Sequence, residues 1–365
     1  MGLEFRFIMH MADALISPAV GGTMWAVTAG LMAWCARKVK ESRDDRLIPM
    51  MGVLGAFIFS AQMINFSIPA TGSSGHLGGG LILAILLGPY AAFLVIASVL
   101  TVQALFFADG GLLALGCNVF NLGFFPSFMA YPLLYKLIAG KDRIGARAWV
   151  AALVAGIVGL QLGALGVVLE TRMSGISDLP FKTFVLMMQP IHLAIGIVEG
   201  LTTAAVVAFV ARARPETFTV GMAIKAMNQE RSLRPVLIGL IVAAAVLGGV
   251  ASWFASTHPD GLEWSISKVT GREEFVGSED GVHGKLAAIQ AKTAVLPDYG
   301  FKAAPAEKKS AEHVAATPEP WPAVKPGTSV SGIVGGVLTL VLAGGIGFAL
   351  KVRMKTDRHD DGRGY

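Results

Sequence analysis

Apolar residues gather in nine runs along this chain, at 19–36, 48–65, 77–88, 89–107, 113–135, 148–169, 183–211, 235–253 and 330–350. Crossing the ~30 Å hydrocarbon layer takes about 20 helical residues, and every run but 77–88 reaches that range. The exception, stopped by Gly88-Pro89, spans only about 18 Å at ~1.5 Å per residue. It crosses only if protein, not lipid, surrounds its ends. The pattern predicts an all-α polytopic membrane protein, with a seven-helix core followed by two extra transmembrane helices joined by a long external loop.

Charge orients these runs. Basic clusters fall at Arg37–Arg46, Lys136–Arg147, Arg212–Arg234 and Lys351–Lys355, and the positive-inside bias makes those segments cytoplasmic. Counting back, Met9-His10 and His76 lie on one outer face. The 254–329 loop holds 8 Lys+Arg against 10 Asp+Glu, without the basic excess of an inner loop, so it lies outside. Its Pro- and Ala-rich second half predicts a flexible linker. Four segments follow: 1–8, an extension or misassigned start; 9–230, a membrane core; 231–350, a module of two helices and the 254–329 loop; and 351–365, a basic cytoplasmic tail.

Composition agrees. Of 365 residues, 54% are hydrophobic and 15% charged, against about 25% charged in soluble domains, and the mean hydropathy is +0.62. The net charge of +5 follows from the inner-loop bias and does not point to nucleic acid. No G-x-x-x-x-G-K-[ST], G-x-S-x-G or H-E-x-x-H occurs, so neither a phosphate-binding loop nor a recognisable catalytic constellation is present.

The sharpest candidates are two histidines. With Met9 as chain start, its amine, the His10 amide nitrogen and the His10 imidazole close fused five- and six-membered chelate rings, and His76 adds a fourth nitrogen. Planar nitrogen sets suit Ni(II) or Cu(II). The bland readings are a solvated histidine near a start and a loop histidine. Two features favour ligation: Met11–Pro18 is too apolar for a free tail, and Gly75, Gly78, Gly79 and Gly80 admit close backbone approach. Asn65 is a candidate to hold a ring tautomer, or a helix cap. His192 and Glu199, costly in hydrocarbon, read as an ion path or as interhelical hydrogen bonding. Small-residue stripes at Ala151, Ala155, Gly159 and Gly163, and at Gly80, Ala84 and Gly88, fit internal packing or a partner subunit.

These residues also carry a resemblance. The stretches MHMADALISP (9–18), NFSIPATGSSGHLGGGLILAILLGPYAAF (65–93), VQALFFADGGLLALGCNVFNLG (102–123) and HLAIGIVEGL (192–201) resemble the substrate-binding S component, the M protein, of nickel/cobalt energy-coupling-factor ABC transporters. PDGLEW (259–264) and LPDYGF (296–301) resemble its small PDGLE-type N subunit, here fused in one chain. The resemblance implies metal ligation by Met9, His10 and His76, with nickel or cobalt as transported substrate. It implies a transmembrane coupling (T) subunit and cytoplasmic ATPase subunits as partners, an inner-membrane location, and a transport subunit rather than an enzyme. The alternative is a self-sufficient secondary metal transporter or channel.

Overall fold

Each apolar run becomes a helix in the computed structural model, which describes residues 10–42, 44, 46–142, 144–213, 233–271, 280–302 and 321–361, with side chains as far as Lys351. In chain order the helices are α1 (Pro18–Glu41), α2 (Leu47–Gln62), α3 (Gly80–Leu87), α4 (Pro89–Phe107), α5 (Leu115–Ala139), α6 (Ala146–Ser174), α7 (Phe181–Ala213), α8 (Arg234–Gly249), α9 (Gly261–Thr270), α10 (Gly281–Thr293) and α11 (Pro326–Asp361). Among the described residues, six are long and apolar enough to cross a membrane: α1, α4, α5, α6, α7 and the Pro326–Lys351 part of α11. The apolar helices α2 and α8 have 16 residues each, about 24 Å at the usual rise.

The short run at 77–88 resolves as required. All eight residues of α3 are buried, so lipid never meets its ends. α5 holds Pro126 and Pro132 in its interior and winds in wide π turns over Phe120–Tyr135. Prolines lack the N–H that a regular ladder needs, and the widened turns absorb the gap.

Small residues draw the helices together. A Cβ on Gly156 of α6 would stand 2.8 Å from the Gly200 Cα of α7, and one on Gly196 would stand 2.8 Å from the Ile157 Cα. The α6 stripe serves internal packing: Gly159 faces Ala130, Gly163 faces the Asn121 carbonyl of α5, and Ala151 and Ala155 are fully buried. Gly80 faces Leu122 and Pro126 of the same helix. The two C-terminal helices are built into the core as well. Gly52 and Gly55 of α2 abut Leu340, Thr339 and Ala343 of α11, and Gly248 of α8 meets Gly332 of α11. Almost all of α2 is buried as a result.

Two features depart from the sequence reading. A small antiparallel hairpin, β1 (Phe66–Ile68) and β2 (Ser73–Gly75), pairs Ser67 with Ser74 in the stretch read as a plain loop. The 254–329 segment, read as a long loop with a flexible second half, holds two helices, α9 and α10, before that half. Asp260 caps α9 by accepting from the Leu262 and Glu263 amides, while Glu263 accepts from the Asp260 amide. This reciprocal box starts a helix inside a polar stretch that hydropathy alone reads as loop. The linker half at 303–320, the 1–8 extension, and the 230/231 boundary fall outside the described residues.

Candidate metal centre

His10 opens the described chain, and the segment behind it is fastened to the turn between α4 and α5. Asn118 accepts from the Met11 amide and donates to the Met11 carbonyl, both at 3.1 Å. The Gly111 amide also donates to Met11 O at 3.0 Å. Asp13 accepts from the Leu113 and Ala114 amides at 2.8 and 2.9 Å. These bonds satisfy backbone groups that would otherwise be buried at a cost. They hold His10 with only 4% of its surface exposed.

His76 arrives from the other side, on the strand end of the hairpin. Its loop is clamped from three helices. Glu199 of α7 accepts from the Gly78 and Gly79 amides at 2.9 and 3.0 Å. Gln62 of α2 donates to Gly78 O, and Gln103 of α4 donates to Gln62, each at 2.9 Å. Gly79 takes φ +75° and its missing Cβ leaves space for Ile58, a position that a larger residue fills only with strain. His76 Nδ1 lies 3.1 Å from Leu77 O.

The two imidazoles meet with ring centroids 5.3 Å apart and planes at 51°. They border a cavity of about 80 Å³ that also touches Asn118, Met188, His192 and Asp260. His10 Nδ1 lies 3.1 Å from Asp109 Oδ1, an electrostatic contact rather than an aligned hydrogen bond, and His10 Nε2 is buried with no hydrogen-bond partner among the described residues. Asp109 in turn accepts from the Tyr299 hydroxyl at 2.6 Å. Burial raises the Asp109 carboxyl, but the charge of His10, the contact with it and the Tyr299 hydroxyl outweigh burial and hold the group below its ordinary range. Burial, then the neighbouring Asp109 carboxylate, push Tyr299 well above a free phenol.

Of the residues singled out from sequence, the structure brings His10 and His76 together. Met9 lies outside the described residues. Asn65 is buried elsewhere: its carbonyl accepts from the Ser256 amide at 2.7 Å, its Oδ1 has no hydrogen-bond partner among the described residues, and it does not line the cavity. His192 lines the cavity, with Nδ1 2.8 Å from Met188 O. Glu199 serves the loop clamp. Sequence reading missed Asp109, Tyr299, Asn118 and Asp260 as parts of this site. Asp109 left one signal, a lone carboxylate just past an apolar run on the face assigned to His10. Among the described residues no three His, Cys, Asp or Glu side chains gather around one metal-sized point, so a four-nitrogen site here needs backbone or amine nitrogens.

The PDGLE stretch lines one side of the cavity through Asp260, Gly261 and Leu262. The Ser74 amide donates to Pro259 O, and Ser74 Oγ to His258 O, both at 2.8 Å. Trp264 Nε1 donates to Thr71 O at 3.0 Å, and His283 Nε2 lies 2.9 Å from Ile16 O. The C-terminal region thus touches both the hairpin and the amino-terminal segment.

Comparison with known proteins agrees with this two-part construction. Residues 10–217 match the family described as the cobalt uptake substrate-specific transmembrane region, and 234–352 match the PDGLE domain. The putative fused nickel transport protein NikMN of Archaeoglobus fulgidus is 31% identical over 94% of this chain and 98% of its own length. The fused nickel transport protein NikMN of Rhodobacter capsulatus is 31% identical over 80% and 88%. A crystal structure described as a truncated transition metal transporter superposes with a TM-score of 0.50 at 30% identity, covering 56% of this chain and 99% of that one. With a matching core, a matching companion domain and fused relatives that align along most of its length, the chain belongs to the cobalt uptake substrate-specific transmembrane family, fused to a PDGLE domain.

Proposed function

We propose that this protein captures Ni(II) or Co(II) at the outer face of the inner membrane, as the metal-binding subunit of an ATP-driven importer of the energy-coupling-factor type. The observation that carries the reading is the pairing of His10 and His76 beside one cavity, with neither ring nitrogen of the buried His10 hydrogen-bonded among the described residues. The Met9 amine, the His10 amide and imidazole nitrogens, and a His76 nitrogen supply the four donors. A planar set of this kind favours nickel over cobalt. The ligands shed protons as the metal binds, and the 66–79 loop closes over the site. A transmembrane coupling subunit and cytoplasmic ATPases supply the energy that turns the site inward. A sequence without a phosphate-binding loop supports that division. The fused nickel transport relatives support the same cargo.

The test is equilibrium nickel binding to the full chain in detergent. His10→Ala and His76→Ala are each expected to abolish tight binding, and retention of wild-type affinity by either variant rejects the site. Mass spectrometry of the native amino terminus, with metal analysis of the same sample, checks whether the amine belongs to Met9. Uptake that persists without any ATPase partner and is lost in Glu199→Gln supports the secondary-transporter alternative instead.

A further inference from the structure

The cavity beside His10 and His76 carries a third imidazole on its wall, and the four-donor site leaves it unused. This ring belongs to His192 of α7. Its Nδ1 lies 2.8 Å from Met188 O. A carbonyl oxygen only accepts, so Nδ1 carries the proton, and in the neutral ring the lone pair is then on Nε2. Nε2 sits on the opposite side of the ring, away from the carbonyl, and makes no hydrogen bond among the described residues. Gly261 also borders the cavity, and a Cβ there would stand 3.3 Å from His192 Cε1, the carbon between the two nitrogens. The glycine keeps that edge of the ring uncovered.

Packing does not account for this side chain. Its one hydrogen bond returns to its own helix, so it ties α7 to no neighbour. Met188 O, four residues back, is already the partner that a regular helix gives to the His192 amide. A polar ring in a membrane helix carries a cost. An imidazole with a free lone pair beside a cavity is a donor suited to nickel.

The four-donor site also needs a way to let its metal go. Three of its nitrogens, from Met9 and His10, belong to one fused chelate. His76 is the single ligand held outside that chelate, so its bond is the first to break. A planar four-coordinate ion is open above and below its plane. It takes a fifth donor there before it loses one of the four.

We propose that His192 is the exchange ligand of this site. Its Nε2 binds the metal as the bond to His76 breaks during release, and the same steps run backwards during loading. The metal stays on the amino-terminal chelate while its fourth bond passes from the hairpin loop to α7, a helix long enough to cross the membrane. His192 acts in the passage between states and not in the finished site. The inference rests on the metal site proposed above.

Stopped-flow absorbance of the full chain in detergent tests it, with nickel added for association and excess chelator for dissociation. A ligand used only in passage lowers the barrier in both directions. His192→Ala is therefore expected to slow both rates about tenfold, a barrier change no larger than one hydrogen bond to a charged group, with Kd unchanged. Free imidazole fits the space the substitution vacates, and is expected to restore dissociation of His192→Ala in proportion to its concentration. His192→Phe fills that space with a ring that has no donor, so it is expected to stay slow with or without imidazole. Wild-type rates in His192→Ala, or slow exchange that imidazole leaves unchanged, overturn the exchange role and leave the metal site standing. Faster dissociation with weakened binding overturns it as well, since His192 is then a permanent ligand. Should His192→Ala fail to fold, His192→Phe decides alone: slow exchange at unchanged Kd supports the role, and wild-type rates overturn it. No nickel binding by the wild type, or full binding by His10→Ala, overturns the site and the exchange role with it.

Discussion

A carboxylate inside a bilayer helix is costly, and the surroundings of Glu199 account for it. Its two oxygens each accept a backbone amide, from Gly78 and Gly79, and so fix the turn that leads from His76 into α3. Glu199→Gln keeps one acceptor and turns the other position into a donor facing an N–H. Nickel affinity is expected to fall roughly tenfold, in line with the ~1.5–3 kcal/mol of a hydrogen bond to a charged group, and Glu199→Ala is expected to lose more. A competition titration against a chromophoric chelator measures this. Wild-type affinity in the alanine variant would show that the clamp has no part in positioning His76. That His192 and Glu199 are costly polar positions in one apolar run was legible, but their separate tasks were not. One borders the cavity and the other grips a loop over 100 residues away in the chain, a pairing that helical spacing does not encode.

At the scale of elements, α6 and α7 approach through glycine. Gly156, Gly196 and Gly200 put backbone against backbone, which is how helices associate where lipid offers no hydrophobic drive. Gly200→Val places branched carbons against the Leu153 backbone. Overpacking of this kind typically costs ~1–3 kcal/mol, so the variant should unfold at a lower temperature than wild type in the same detergent. Gly22→Ala, at a site with nothing within 4 Å of the added carbon, serves as its control. The helical runs were readable because hydropathy is a local property. The hairpin and α9 were not, for opposite reasons. The hairpin is three residues per strand and owes its place to contacts with Pro259 and Trp264. Helix α9 is amphipathic, and its capping box outweighs a polar composition that suggested loop.

Across the whole molecule, two proton-linked effects oppose each other. Nitrogen ligands must lose protons to bind metal, so nickel affinity is expected to rise with pH. Asp260 behaves the other way. Burial, opposed by the Glu263 amide and by the charge of His10, pushes its carboxyl up to about 7, from ~3.9 in a free chain. A group raised in the folded state stabilises it below the free-chain value and loses that contribution as pH rises through the folded value. Docking of the 256–264 stretch on the hairpin should therefore loosen progressively between about pH 4 and 7 in metal-free protein, and no further above that. Hydrogen exchange at those amides measures it, and Asp260→Asn, which keeps the capping oxygen, should flatten the dependence. A wild-type profile independent of pH would reject the effect.

The amino-acid sequence alone determined the membrane class, the positions of the apolar helices and the two-part construction, and it singled out His10 and His76 as candidates. Each rests on local composition or short motifs, which survive any arrangement of the chain. What only the tertiary structure decided is who stands beside those histidines. Asp109, Tyr299 and Asp260 come from separate parts of the chain, and Asn65 lies apart from the cavity despite its promising position. Such contacts are set by how helices cross and loops dock. That depends on packing summed over the whole bundle, a quantity with no signature in any single stretch of residues.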